Sequence, residues 1–105
     1  MSPTEVRRRL TSETERGETI LLDVREPEEL AAASLPEALH IPMREVPARL
    51  AELPQDKTIV VMCHGGMRSA RVTAFLMANG FEDVYNLRGG IDAWSVEVDP
   101  KIPRY

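Results

Sequence analysis

Two stretches of this sequence, Thr19-Ile20-Leu21-Leu22-Asp23-Val24 and Thr58-Ile59-Val60-Val61-Met62, run through an apolar centre with no polar alternation. A strand with one wet face alternates with a period of two, whereas a run that is apolar at every position needs cover on both faces. That cover comes from helices, which makes the sheet mainly parallel and the fold class α/β. The intervening segments read as those helices. Ser2-Pro3-Thr4-Glu5 has the form of a capping box with proline at the first helical position. A helix is expected from there to about Thr14, burying Val6 and Leu10 and ended by Gly17. Pro27-Glu28-Glu29 opens a second helix through Ala33, its carboxylates suited to the positive end of the dipole. Ala38–Ile41 reads as a brief strand stopped by Pro42, and Pro47–Leu53 as a helix. Ser69 is the expected N-cap of a helix running to Asn79, with Val72, Phe75 and Leu76 at core-facing spacing. Val84–Leu87 reads as a last strand, Gly89-Gly90 leads into a helical turn carrying Trp94, and residues 97–105 are expected to be irregular.

The chain has 105 residues, enough for one domain with its own core, and a single domain over 1–105 is expected. Net charge is −4 and aromatic residues make up 5%. Neither fits a nucleic-acid binder, and Arg7-Arg8-Arg9 reads as a solvated helix face. The apolar runs are too short to span a membrane. The polar start, Met1 to Arg7, lacks the apolar stretch of a secretory signal, so a cytoplasmic location is expected.

The chain has one cysteine, Cys63. It admits no internal disulfide and no cysteine-rich metal site, and no metal or cofactor is expected. A lone cysteine is commonly an inert small hydrophobe. The neighbours of Cys63 argue otherwise. A buried strand delivers it to the carboxyl edge of the sheet, where open α/β folds bind ligands. Gly65-Gly66 permits a tight turn with amides pointing inward, and a helix follows at once, aiming its positive end at the same spot. Such a cradle favours the thiolate, which is the nucleophile.

The segment Cys63-His64-Gly65-Gly66-Met67-Arg68-Ser69 resembles the active-site loop of the rhodanese family. Three further stretches are similar to that family, in the same order: Asp23-Val24-Arg25 after the early strand, Leu35–Pro42, and Asn86-Leu87-Arg88-Gly89-Gly90-Ile91-Asp92-Ala93-Trp94. The resemblance covers nearly the whole chain. It implies a five-stranded, mainly parallel sheet flanked by helices on both faces. It also implies sulfur transfer through a persulfide on Cys63, with the backbone amides of His64, Gly65, Gly66, Met67, Arg68 and Ser69 as the cradle. The expected partners are a small sulfur donor such as thiosulfate, a cyanide or thiol acceptor, and a sulfur-relay protein. Ser34 and Glu37 stand where the family often has a histidine and a glycine. Gly65 stands where some thiosulfate-using members carry a basic residue, which bears on the natural donor and not on the transfer chemistry.

Loop length separates this chemistry from that of a cysteine phosphatase. Those enzymes resemble Cys, five residues, then Arg, whereas four residues separate Cys63 from Arg68. The shorter cradle suits one sulfur atom better than a phosphoryl group, and phosphatase or arsenate reductase chemistry ranks below sulfur transfer. From a different class, a sulfur-carrier module serving a protein partner needs the same intact Cys63. Around the loop, Asp23 is expected to orient it through hydrogen bonds. Arg25 either faces the pocket or pairs with a carboxylate. Arg68 either holds an anionic donor or forms an ion pair with Asp23 or Glu26. His64 is expected to face solvent, Met67 to line the entrance, and Trp94 to pack in the core.

Overall fold

The computed structural model describes residues 1–105, the side chain of Arg16 excepted. Its centre is β3 (Thr58–Met62), every residue of which is buried. Val60 and Met62 face one apolar layer, and Ile59, Val61 and Cys63 face the other. Strand β1 (Thr19–Asp23) does the same, with Leu21 on the first side and Leu22 on the second. Both strands are therefore covered on two faces, as their unbroken apolar runs require.

One cover is α1 (Pro3–Thr11) with α4 (Gly90–Glu97), closing over Val6, Ile91 and Trp94. The other is α3 (Met67–Ala78) with a 3-10 segment, Met43–Glu52, closing over Val46, Val72 and Leu76. Helix α2 (Pro27–Ala32) buries no residue and lies outside both layers. Strands β2 (Leu39–His40) and β4 (Val84–Asn86) complete the sheet, in the order β2-β1-β3-β4 with every pairing parallel.

The sheet has four strands where five were expected. Beyond β4, the Met1 ammonium donates to the Asn86 carbonyl at 2.8 Å, and the Met1 carbonyl accepts from the Arg88 amide at 2.8 Å. One residue hydrogen-bonded in this way is too short to count as a strand.

Other boundaries moved for local reasons. Helix α1 has the expected Ser2 cap, which accepts from the Glu5 amide, but it ends at Thr11 rather than Thr14. The Thr11 hydroxyl turns back to the Arg7 carbonyl, and the Ser12 and Thr14 hydroxyls bond each other, which competes with helix propagation. Gly17 lies in a separate 3-10 turn, Arg16–Glu18. The expected helix Pro47–Leu53 is part of the longer 3-10 segment, broken at Arg49, because Pro47 cannot donate to an α-helical ladder. Residues 90–97 form two full turns, and the segment after them folds back along the molecule. Among the described residues no helix is long and apolar enough to cross a membrane.

Candidate active site

Strand β3 ends at Met62, and the next residue, Cys63, is 1% exposed at the carboxyl edge of the sheet. Its Sγ receives hydrogen bonds from the Gly66 amide at 3.1 Å, the Ser69 amide at 3.4 Å and the Ser69 hydroxyl at 3.2 Å. Burial pushes the thiol pKa up. The Ser69 hydroxyl and the amides of Ser69, Gly66 and Arg68 outweigh burial and leave it below the ordinary thiol value. The cradle is thus narrower than expected, since His64, Gly65 and Met67 direct no hydrogen bond at the sulfur.

Helix α3 begins at Met67 and is capped by Gly66, not by Ser69. Gly66 has φ 110°, a left-handed conformation that only glycine adopts readily, so the chain can enter the helix directly after it. That start places Ser69 in the first turn, fully buried, with its hydroxyl turned to Cys63 rather than to the helix amides. Gly65 has no such backbone requirement, and a Cβ there would meet nothing within 4 Å. Of the two loop glycines, one is needed for the turn.

Three residues outside the loop hold it. Asn86, at the end of β4, accepts from the Ser69 hydroxyl at 2.5 Å and donates to the Gly66 carbonyl at 3.0 Å. The Ser69 hydroxyl has one proton, so Asn86 and Cys63 compete for it. From the start of α4, the amides of Ile91 and Asp92 hold the carbonyls of Cys63 and His64, at 2.9 and 3.1 Å. Gly90 permits that approach: a Cβ on it would lie 2.3 Å from the His64 carbonyl oxygen and 2.4 Å from that of Cys63.

The charged groups pair differently from expectation. Asp23 makes no hydrogen bond to the loop. Its carboxylate binds Arg25 in a fully buried pair, Nη2 to Oδ2 at 2.8 Å and Nε to Oδ1 at 3.0 Å. Of the two roles open to Arg25, the structure has the pairing with a carboxylate. His40 Nε2 meets the Arg25 carbonyl at 2.7 Å. Arg68 pairs with neither Asp23 nor Glu26. It binds Glu29 with both terminal nitrogens, at 2.6 and 2.9 Å, and holds that carboxyl down to about 2. Glu26 is taken by Arg44 and by the cap of α2, where its backbone amide in turn meets Glu29.

Tyr105 completes the set. Its hydroxyl donates to Glu29 at 2.7 Å and accepts from Arg25 Nη1 at 2.7 Å. Its ring lies 4.2 Å, centroid to centroid, from that of His64, so His64 packs against a neighbour instead of simply facing solvent. Met67 is 78% exposed beside the loop, and Trp94 is buried in the core. Sequence reasoning passed over Asn86, Glu29, Gly90 and Tyr105 as site residues. Asn86 and Gly90 carried some signal: a polar residue ending a strand on the Cys63 edge, and a glycine pair after it. Glu29 and Tyr105 carried none.

Arranged this way, the site can stabilise a single anionic sulfur from one side, and among the described residues no cationic side chain hydrogen-bonds to that sulfur. The rhodanese-like domain family model matches residues 2–97. The chain is 44% identical over 78 residues to a sulfurtransferase of Allochromatium vinosum, spanning 74% of this chain and 73% of that protein. It is also 44% identical over 84 residues to a putative sulfurtransferase of Bacillus subtilis, spanning 80% and 81%. A crystal structure of a rhodanese-like domain protein from Staphylococcus aureus superposes with TM-score 0.83 at 31% identity, over 100% of this chain and 96% of that one.

Proposed function

The chain belongs to the rhodanese-like domain family and its activity is sulfur transfer; on that premise we propose that Cys63 carries the sulfur as a persulfide between a small sulfane donor and a thiophilic acceptor. The observation that carries this reading is the set of donors converging on one sulfur atom. With thiosulfate as donor, the Cys63 thiolate attacks the outer sulfur. A new S–S bond forms, the donor's own S–S bond breaks, and its electron pair leaves with sulfite. The negative charge then rests on the outer sulfur of the persulfide, within reach of the amide donors. Cyanide or a thiolate attacks that outer sulfur, takes it as thiocyanate or as a new persulfide, and returns Cys63 as thiolate. This is two-step covalent catalysis.

Asp23 acts through Arg25, which it holds in place, and Arg68 acts through its pair with Glu29. Phosphatase chemistry fits less well, because a phosphoryl group needs a free cation for its equatorial oxygens and Arg68 is spent on Glu29. A second reading, transfer to or from a protein partner, draws on the same cradled sulfur of Cys63.

Intact-protein mass after incubation with thiosulfate tests the proposal, on wild type and Cys63→Ala. The expected result is a gain of one sulfur atom in the wild type alone, removed by cyanide. No gain with thiosulfate, but a gain with a cysteine desulfurase as donor, selects the protein-partner reading. No gain with either donor overturns sulfur carriage on Cys63.

A further inference from the structure

Arg25 stands at the carboxyl edge of the sheet, where ligands enter, yet it is 0% exposed. Two of its nitrogens are spent on Asp23, and Nη1 is capped by the Tyr105 hydroxyl. The same hydroxyl closes Glu29 Oε2, which Arg68 also holds. The Tyr105 ring lies 4.2 Å from His64, the residue after Cys63, and 5.6 Å from the Arg25 guanidinium carbon. One side chain thus touches a group on each side of the loop mouth. It reaches there from the segment after α4, which is tied down on the way by Arg104 to Asp92 at 2.8 Å. The pair is exposed and weak, so Tyr105 itself is the main latch.

We propose that Tyr105 is an access-determining residue of this site: it caps Arg25 Nη1, which otherwise meets only the Glu29 carbonyl at 3.4 Å, covers the loop beside His64, and must swing away before a reagent or donor reaches Cys63. An anionic donor then finds on Arg25 Nη1 the donor that the phenol had used, so donor and Tyr105 compete for one position. The inference rests on the reading of Cys63 as the reacting group.

The test is the alkylation rate of Cys63 by neutral iodoacetamide, followed across pH to its alkaline plateau, where every molecule is thiolate and pKa effects drop out. Tyr105→Phe keeps the ring but loses both bonds to charged groups, and Tyr105→Ala removes the cover. The plateau rate is expected to rise at least about tenfold in the first and further in the second, since each of the two lost hydrogen bonds to a charged group is worth roughly a factor of ten or more. Tyr85→Phe, on an exposed tyrosine of β4, is the control and should match the wild type. Circular dichroism establishes that the variants are folded, and Tyr105→Phe is the milder of the two. Plateau rates within about twofold of wild type in the folded variants would overturn the proposal and leave Tyr105 a packing residue. Faster alkylation without any sulfur loading from either donor would support Tyr105 as the cover while removing the sulfur-transfer mechanism, so the two can fail separately.

Discussion

Replacing Ser69 with alanine removes one of the hydrogen-bond donors to Cys63 Sγ and leaves the two amides in place. The magnitude follows from how the hydroxyl proton is shared. In the thiol form it is free to bond Asn86 at 2.5 Å. In the thiolate form it is drawn to the charged sulfur, and the Asn86 bond is given up. A bond to a charged group is worth about 1.5–3 kcal/mol and a neutral one about 1 kcal/mol, so the hydroxyl favours the thiolate by roughly 0.5–2 kcal/mol. At about 1.4 kcal/mol per factor of ten, Ser69→Ala should raise the Cys63 pKa and cut the thiolate fraction below the midpoint by up to about tenfold. The alkylation rate measured against pH reads that value directly, its midpoint shifting up while the plateau stays. A midpoint unchanged, or shifted down, would refute the competition for the proton and assign thiolate stabilisation to the backbone amides alone.

Gly90, packed on the Cys63 carbonyl, and Gly65, two residues after Cys63, should behave oppositely. Gly90→Ala drives a Cβ into the carbonyls of Cys63 and His64 and should cost more than about 2 kcal/mol in urea denaturation, whereas Gly65→Ala, with open space and no positive φ, should change stability by less than about 0.5 kcal/mol. Asp23→Asn leaves the Arg25 charge buried without its counter-ion and should destabilise the fold by about 3–5 kcal/mol in the same assay. Glu29→Gln tests the outer pair by its pH dependence. The Glu29 carboxyl is held at about 2, chiefly by Arg68, so its stabilisation is full above the unfolded value and is lost as pH falls through about 2. Discounted for partial exposure, wild type should exceed the variant by about 2 kcal/mol at neutral pH, and the two should converge in acid.

The two central strands, the delivery of Cys63 to the sheet edge, and the helix after it were all legible in the sequence. Each follows from a pattern a few residues long: an unbroken apolar run, a glycine before a periodic segment. The paired covering layers follow from the same runs, because strands apolar at every position must be covered twice. Short-range patterns do not fix which polar groups meet. Asp23, Glu26 and Glu29 all lie near one sheet edge, and nothing local says which of them faces Arg68, 39 positions beyond Glu29. The cap of α2 and Arg44 take Glu26, Arg25 takes Asp23, and the phase of α2 then turns Glu29 to the loop. Asn86 meets Ser69 only because β4 pairs with β3 in one register, Val61 opposite Asn86. Tyr105 meets Arg25 across 80 positions because the segment after α4 folds back over the edge. Apolar burial is non-directional, so a sequence pattern can specify it. A hydrogen bond or ion pair needs its partner within about 3 Å and correctly aimed, and only the assembled packing of sheet and helices sets that.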